Sequence, residues 1–128
     1  MKDLRHISRG LLAVVLLSGT LQAEADDPKR GQTLYESRCI GCHSLDSHRI
    51  GPAHRGVAGR RAGSVPDFSY SEALMNSNLI WTAQNLDFWL KNPEALIPGQ
   101  NMGFRVDDAN DRADLVAYLT ALNCEPVP

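Results

Sequence analysis

Apolar residues recur at helical spacing in two segments of the second half of the chain. Leu86, Trp89 and Leu90 fall on one face at positions i, i+3 and i+4. A later stripe consists of Leu115, Val116, Leu119 and Leu122. Both patterns predict amphipathic helices, and no competing segment has the period-two alternation that indicates a β-strand.

Capping residues set the ends of these two helices. Thr82 is a candidate N-cap for the first helix, which Asn92-Pro93 ends because the residue before a proline disfavours helical backbone. Asp107 or Asp108 is the candidate N-cap of the last helix, which we expect to run to about Asn123.

The first half of the chain predicts further helices and a long loop. Asp27-Pro28 combines an N-cap with proline at the first helical position, so a helix should run from about Lys29 to about Ile40. A short helix is expected over residues 71–75. Residues 44–70 are rich in Gly and Pro and show no sustained period, which indicates loop. The class predicted is all-α.

The N-terminal segment predicts export. Its basic residues are Lys2, Arg5 and Arg9. The apolar run over 11–17 is too short to span a bilayer, which takes about 20 residues, and Ala23-Glu24-Ala25 is a small-x-small cleavage site. We therefore expect a signal peptide over 1–25, one domain over 26–128, a bacterial periplasmic location and no stable membrane insertion after cleavage. The alternative is a membrane anchor.

Composition narrows the choice of function. A chain of 128 residues fits one domain. A net charge of −2 argues against a nucleic-acid partner, which would require a basic face or arm. Three cysteines cannot build a disulfide scaffold, and two of them lie three positions apart.

One motif carries specific chemistry: residues 39–43 read Cys-Ile-Gly-Cys-His, the C-x-x-C-H attachment motif of c-type haem. On a helix, positions i, i+3 and i+4 face the same side. Cys39 and Cys42 can then bond the two vinyl groups of one haem, while His43 ligates the iron. The haem would supply core that a domain of this size lacks.

Two other interpretations of the cysteine pair are weaker. A thioredoxin-like redox pair needs a βαβ context, which the pattern does not predict. A zinc site usually needs four nitrogen or sulfur ligands, and only His48, His54 and Cys124 remain to complete one.

The second axial ligand must come from another part of the chain. Met1 would be removed with the predicted signal peptide. Met75 lies in a polar stretch, and we expect it to be a core residue of the short helix. Met102 lies in the turn-rich loop 98–104, which could bend a thioether back onto the iron. Spacing alone favours Met102 without deciding, because methionine is often a gap-filler in cores.

Further motifs accompany C-x-x-C-H between residues 31 and 122. They are Gly31-Gln32-Thr33-Leu34-Tyr35, Gly51-Pro52, Gly59-Arg60, Phe68-Ser69-Tyr70-Ser71, Trp81, Asn92-Pro93, Pro98-Gly99-Gln100-Asn101-Met102 and Arg112-Ala113-Asp114-Leu115-Val116-Ala117-Tyr118-Leu119. In this set and order the chain resembles a class I cytochrome c of the mitochondrial and bacterial short-chain type. The resemblance implies three to five helices around one covalently attached haem c, bound through Cys39 and Cys42.

The resemblance also implies roles for single residues. His43 and Met102 would ligate the iron, and the Pro52 carbonyl would accept a hydrogen bond from the His43 imidazole. Three residues would hold the haem propionates: Arg60, Tyr70 and Trp81. The first and last helices would cross at Gly31 and Tyr118, with Tyr35 and Leu115 packed there.

Two positions differ from the residues that are usual in the family, and two histidines lie outside the predicted ligand set. Trp89 stands where the family usually has a tyrosine near the methionine sulfur, and an indole N–H can donate but not accept. Leu74 replaces a frequent asparagine. By resemblance His48 braces a loop, and we expect His54 on the surface.

The function expected is a soluble periplasmic carrier of single electrons, not an enzyme, that acts as a monomer between unidentified donor and acceptor redox proteins. One alternative is a tightly bound cytochrome subunit of a periplasmic dehydrogenase or oxidase complex. Another is an open-iron peroxidase or gas sensor. Cys124 is left unpaired once the haem takes the other two cysteines, so it is either a buried thiol or an intermolecular disulfide link.

Overall fold

The computed structural model describes residues 26–123, so the predicted signal peptide and Cys124 lie outside the described residues. The described helices are α1 (Pro28–Arg38), α2 (Glu72–Asn76), α3 (Ala83–Lys91), α4 (Pro93–Leu96) and α5 (Ala109–Ala121). Within this range there is no β-strand, and Arg61 and Ile80 form an isolated antiparallel bridge. The all-α prediction is confirmed.

Side chains cap the helices where the sequence predicts. The Asp27 carboxylate accepts hydrogen bonds from the first backbone N–H groups of α1. Thr82 accepts from the N–H of Asn85 in α3, and Asp108, rather than Asp107, accepts from the N–H of Asp111 in α5. These bonds satisfy donors that have no partner inside a helix.

Helix α4 was not predicted from the sequence. Asn92 ends α3 as expected, but its side chain then accepts from the Ala95 N–H and caps a new helix with Pro93 at its first position. A proline is tolerated at this position because its missing N–H would have no helical partner. Four residues are too few to display a hydrophobic period, so only the caps could have revealed α4.

The first and last helices cross at close range, as expected. A Cβ atom at Gly31 would collide with the Asp114 carbonyl group and lie 2.8 Å from the Tyr118 Cβ. Tyr35 and Leu115 are buried at the crossing, with 2% and 0% of their surface exposed. Only glycine therefore lets the two backbones approach this closely.

Ion pairs flank the same crossing. Arg30 of α1 binds the carboxylates of Asp111 and Asp114 on α5, and Arg38 binds Asp111 at 2.8 Å. The two guanidinium groups hold the pKa of Asp111 below its ordinary value, although desolvation opposes them. The crossing thus combines apolar burial with charge complementarity.

The remaining core surrounds a cavity rather than closing over it. Two core tryptophans, Trp81 and Trp89, meet edge to face with their ring centroids 5.2 Å apart and form part of its wall. Across residues 26–123, no helix has the length and apolar character needed to cross a bilayer.

Candidate functional site

The predicted site residues meet at one cavity of about 490 Å³. The set that lines it includes Cys39, Cys42, His43, Pro52, Arg60, Tyr70, Trp81 and Met102. Residues distant in sequence therefore share one wall. Concave, largely apolar cavities of about 300–1,000 Å³ are typical cofactor sites.

The turn after α1 presents the C-x-x-C-H motif. The Cys39 N–H continues the helical pattern by donating to the Tyr35 carbonyl at 2.8 Å, and the N–H groups of Cys42 and His43 both donate to the Cys39 carbonyl. The two thiols are free, and burial raises the pKa of Cys39 to about 11. They lie on the same cavity wall without pairing, as covalent attachment to one ligand requires.

The His43 ring is oriented for metal ligation. Its Nδ1 lies 2.9 Å from the Pro52 carbonyl oxygen. Because a carbonyl only accepts, Nδ1 must carry the proton, and Nε2 keeps the lone pair that binds a metal. Burial lowers the pKa of His43, which favours the same neutral form. The Pro52 contact expected from the sequence is present.

Two neighbours enclose the same ring. A Cβ atom at Gly51 would come within 2.5 Å of His43 Nδ1, so only glycine fits against this edge. The His54 ring stacks on His43, with centroids 4.0 Å apart and planes inclined by 22°. His54 lines the cavity, so the expectation that it lies on the surface is wrong.

His54 was missed because its sequence surroundings are polar and rich in glycine, which usually indicates solvated loop. Its Nδ1 lies 3.1 Å from the Tyr35 hydroxyl, which is far away in sequence. Burial lowers the pKa of His54 to about 3, with the charges of His43 and Arg60 adding to the effect. The residue is therefore neutral at physiological pH.

The methionine expected to face the cavity does so. Met102 lies on the cavity wall, and its Sδ accepts a hydrogen bond from Trp89 Nε1 at 3.2 Å. Met75, the other described methionine, is 44% exposed on α2 and is not a core residue. The indole at position 89 thus donates toward the sulfur, as expected for this replacement.

A network of hydrogen bonds braces the Met102 loop. The Glu94 carboxylate of α4 accepts from the Gly99 N–H at 3.0 Å and from Gln100 Nε2 at 3.3 Å. Gln100 Oε1 in turn accepts from the Met102 N–H. Gly99 has a φ of +87°, a conformation that side chains other than glycine rarely adopt. Nothing in the sequence pattern predicted this brace.

Polar groups lie at another part of the cavity wall. Arg60 donates to the backbone carbonyls of Arg55 and Ala53, each at 3.1 Å. Burial lowers the pKa of Arg60 and raises that of Tyr70, which also lines the cavity. Leu74, where the family often has an asparagine, is an apolar part of the same wall.

His48 links two loop segments by hydrogen bonds, as expected from the resemblance. Its Nδ1 accepts from the Ala53 N–H at 3.1 Å, so Nε2 carries the proton and donates to the Pro66 carbonyl at 3.0 Å. Both nitrogens are engaged, which leaves no lone pair for a metal.

The alternative uses of the cysteine pair find no support. Between residues 26 and 123, no three His, Cys, Asp or Glu side chains gather in a way that could hold a metal ion. The same range contains no sheet for a thioredoxin-like motif. The cavity, the unpaired thiols and the His43 lone pair together fit a covalently bound haem.

Comparisons with known proteins agree with this geometry. Residues 28–123 match the family model described as cytochrome c. Cytochrome c2 of Rhodomicrobium vannielii is 34% identical over 120 residues, which cover 91% of this chain and 95% of the relative. Cytochrome c of Kluyveromyces lactis is 37% identical over 95 residues, covering 71% of this chain and 86% of the relative.

A solved structure shows the same fold. Cytochrome cH from Methylobacterium extorquens superposes with a TM-score of 0.71 at 32% identity, over 74% of this chain and 98% of that one. The chain therefore belongs to the cytochrome c family and is a class I cytochrome c, an electron carrier with one haem c bound covalently through Cys39 and Cys42.

Proposed function

We propose that this cytochrome carries single electrons in a bacterial periplasm, and that His43 and Met102 are the residues that would ligate its haem iron. The bound haem supplies reversible one-electron exchange between ferrous and ferric iron. The observation that carries the proposal is that His43 and Met102 line one cavity and are held there by separate hydrogen bonds. His43 Nε2 and Met102 Sδ are the atoms that could bind the iron.

His43 supports the carrier role through its fixed tautomer. The hydrogen bond from Nδ1–H to the Pro52 carbonyl increases electron density on the imidazole, which makes Nε2 a better donor to iron. The same bond would keep the imidazole ring in one orientation in both oxidation states of the iron.

Met102 supports a carrier rather than a catalyst. A thioether bound to the iron together with histidine would raise the reduction potential and would leave no open position for oxygen or peroxide. The loop brace from Glu94 and Gln100 holds the Met102 backbone, and Trp89 holds its sulfur. These bonds oppose dissociation of the sulfur, so we propose no enzymatic activity.

We propose that Arg60, Tyr70 and Trp81 hold the haem propionates. Each lines the cavity, and each has a donor group for a carboxylate oxygen. Bonds of this kind offset the cost of burying charged carboxylates.

The periplasmic location follows from the predicted cleavage after Ala25. N-terminal sequencing of the protein from periplasmic extract tests it: a chain that begins at Asp26 supports export, and retention of residues 1–25 contradicts it. The same extract, run on a sizing column, separates a free monomer from the alternative of a stable complex with a dehydrogenase or oxidase. Loss of a dimer under reducing conditions would indicate a disulfide through Cys124.

Spectropotentiometric titration tests the carrier function. We expect one reversible one-electron transition, and no rise in hydrogen-peroxide-dependent dye oxidation over free haem. Irreversible titration, or peroxidase turnover by the intact protein, would contradict the proposal. Met102→Ala should add peroxidase turnover, because it removes the proposed ligand.

A further inference from the structure

The His54 side chain stacks on His43 but is not one of the residues proposed to bind the haem. The Pro52 carbonyl, the Gly51 backbone and the His54 ring all lie against the His43 ring. The hydrogen bond to Pro52 fixes Nδ1, yet a single hydrogen bond leaves the ring free to tilt about the N···O line. The stacked ring of His54 opposes that tilt, because its plane is within 22° of parallel.

His54 is itself held at both its backbone and its ring. Its N–H donates to the Ser44 carbonyl at 3.0 Å. Its Nδ1 is bonded to the Tyr35 hydroxyl at 3.1 Å. Tyr35 is 2% exposed at the crossing of α1 and α5, and its ring meets the His54 ring edge to face with centroids 5.7 Å apart. A rigid chain of contacts therefore joins the helix crossing to His43.

We infer that His54 is a positioning residue that sets the plane of the His43 imidazole, and that Tyr35 holds His54 in place for this task. The inference rests on the proposed function, in which His43 ligates the iron. An aliphatic side chain at position 54 would fill the space but would present no flat face to stack against. The His54 ring provides a flat face for the His43 ring, and the hydrogen bond between His54 and Tyr35 fixes the direction of that face.

The orientation of an axial imidazole is measurable in the oxidised holoprotein. It governs how unpaired spin spreads over the haem, and the proton NMR shifts of the haem methyl groups report that spread. We expect His54→Leu to change the order or the spread of these shifts. His54→Phe keeps a flat ring and Tyr35→Phe keeps the imidazole, but each removes the hydrogen bond between residues 35 and 54. Both variants should therefore move the shifts in the same direction as His54→Leu, by a smaller amount.

Leu122→Ala is the matched control. It opens a cavity in the core at a residue that does not line the haem site, so it lowers stability without touching His43. Its methyl pattern should equal that of the wild type, which separates positioning from general loosening. A change as large as that of His54→Leu would overturn the inference.

The remaining outcomes are also decisive. A wild-type methyl pattern in His54→Leu would show that His54 does not orient His43. If His54→Leu fails to incorporate haem, Tyr35→Phe and His54→Phe decide: a wild-type methyl pattern in either variant overturns the inference, and a shifted pattern in both supports it. Failure of the proposed function would look different, because the wild-type protein itself would then lack methionine ligation.

Discussion

At the scale of single residues, the electron density on the Met102 sulfur bears on the reduction potential, because the proposed function makes this sulfur an iron ligand. Trp89 Nε1–H donates to it at 3.2 Å. A donor withdraws electron density from the sulfur, so the thioether stabilises ferric iron less. This indole should therefore raise the reduction potential of the protein.

Replacing Trp89 by phenylalanine should lower that potential by about 20–40 mV. A hydrogen bond contributes about 0.5–1.5 kcal/mol, a thioether is a weak acceptor, and a one-electron couple changes by about 59 mV per tenfold in equilibrium constant. Spectroelectrochemical titration measures the change. Phe88→Leu, at the exposed neighbour on α3, should leave the potential unaltered. An equal or higher potential in Trp89→Phe would refute this role.

At this scale the family resemblance implied two contacts that the structure contains, the Pro52 acceptor and the His48 brace. The donor role of Trp89 follows from the chemistry of its side chain, because an indole N–H can only donate. His54 was misjudged because its partners, His43 and the Tyr35 hydroxyl, reach it only after the chain folds back. Local polarity gives no information about such a contact.

At the scale of elements, an exposed carboxylate of helix α4, that of Glu94, is hydrogen-bonded to the loop that contains Met102. Glu94 binds Gly99 and Gln100, and Gln100 binds the Met102 backbone. Opening of this loop is the step that would expose the iron to small external ligands.

Glu94→Ala should therefore speed the binding of imidazole to the oxidised protein by about fivefold. That factor corresponds to about 1 kcal/mol, the contribution of a typical hydrogen bond. Stopped-flow mixing measures the rate. Glu36→Ala removes one carboxylate from α1, far from the loop in sequence, and serves as the charge-matched control. Equal rates in both variants would show that the brace does not limit loop opening.

The crossing of α1 and α5 makes a second prediction at this scale. Gly31→Ala should destabilise the holoprotein by about 3 kcal/mol, because the new Cβ collides with the Asp114 carbonyl and the backbones must separate. Helix propensity alone predicts the opposite sign, by about 1 kcal/mol. Urea unfolding distinguishes the two. Thr33→Ala, on the exposed side of α1, should change little, and a stabilised Gly31→Ala protein would exclude close backbone packing.

Elements were predictable to the extent that caps and periods mark them. Asp27, Thr82 and Asp108 fixed the starts of α1, α3 and α5. The end of α1 was placed about two residues too late, since Cys39 and Ile40 lie in the turn that follows the helix. A helix as short as α4, or a hydrogen bond such as that from the Gly99 N–H to Glu94, produces no hydrophobic period in the sequence.

At the scale of the whole molecule, ion pairs connect the first and last helices of the domain. Arg30 and Arg38 of α1 bind Asp111 of α5, and they lower its pKa from the ordinary value of 3.8. A carboxyl group with a lowered pKa stabilises the fold while ionised. Its contribution is complete above the unfolded value and is lost as pH falls through the folded value.

Asp111→Asn should therefore lose less stability than the wild type when pH falls from about 5 to below 3.8. The measurement is the free energy of unfolding of both holoproteins across that range, compared as a difference so that other groups cancel. Glu36→Gln should follow the wild-type curve. A curve for Asp111→Asn parallel to that of the wild type would mean that the pairs do not couple the helices.

The cavity could be predicted only in part. The sequence indicates which residues a haem would need, through C-x-x-C-H and the Met102 loop, but not how the wall is completed. That wall includes Leu74, Leu86 and His54, which come from three separate segments. Their convergence is a property of the packed molecule and has no local pattern.

The measurement that tests the central claim most directly is the optical spectrum of the reduced protein before and after carbon monoxide is added. We predict no change, because in the proposed function Met102 ligates the iron, and the hydrogen bonds from Trp89 and through Glu94 hold that residue in place. A spectrum that shifts on addition of carbon monoxide would contradict this account, since it would mean that the iron is open to external ligands.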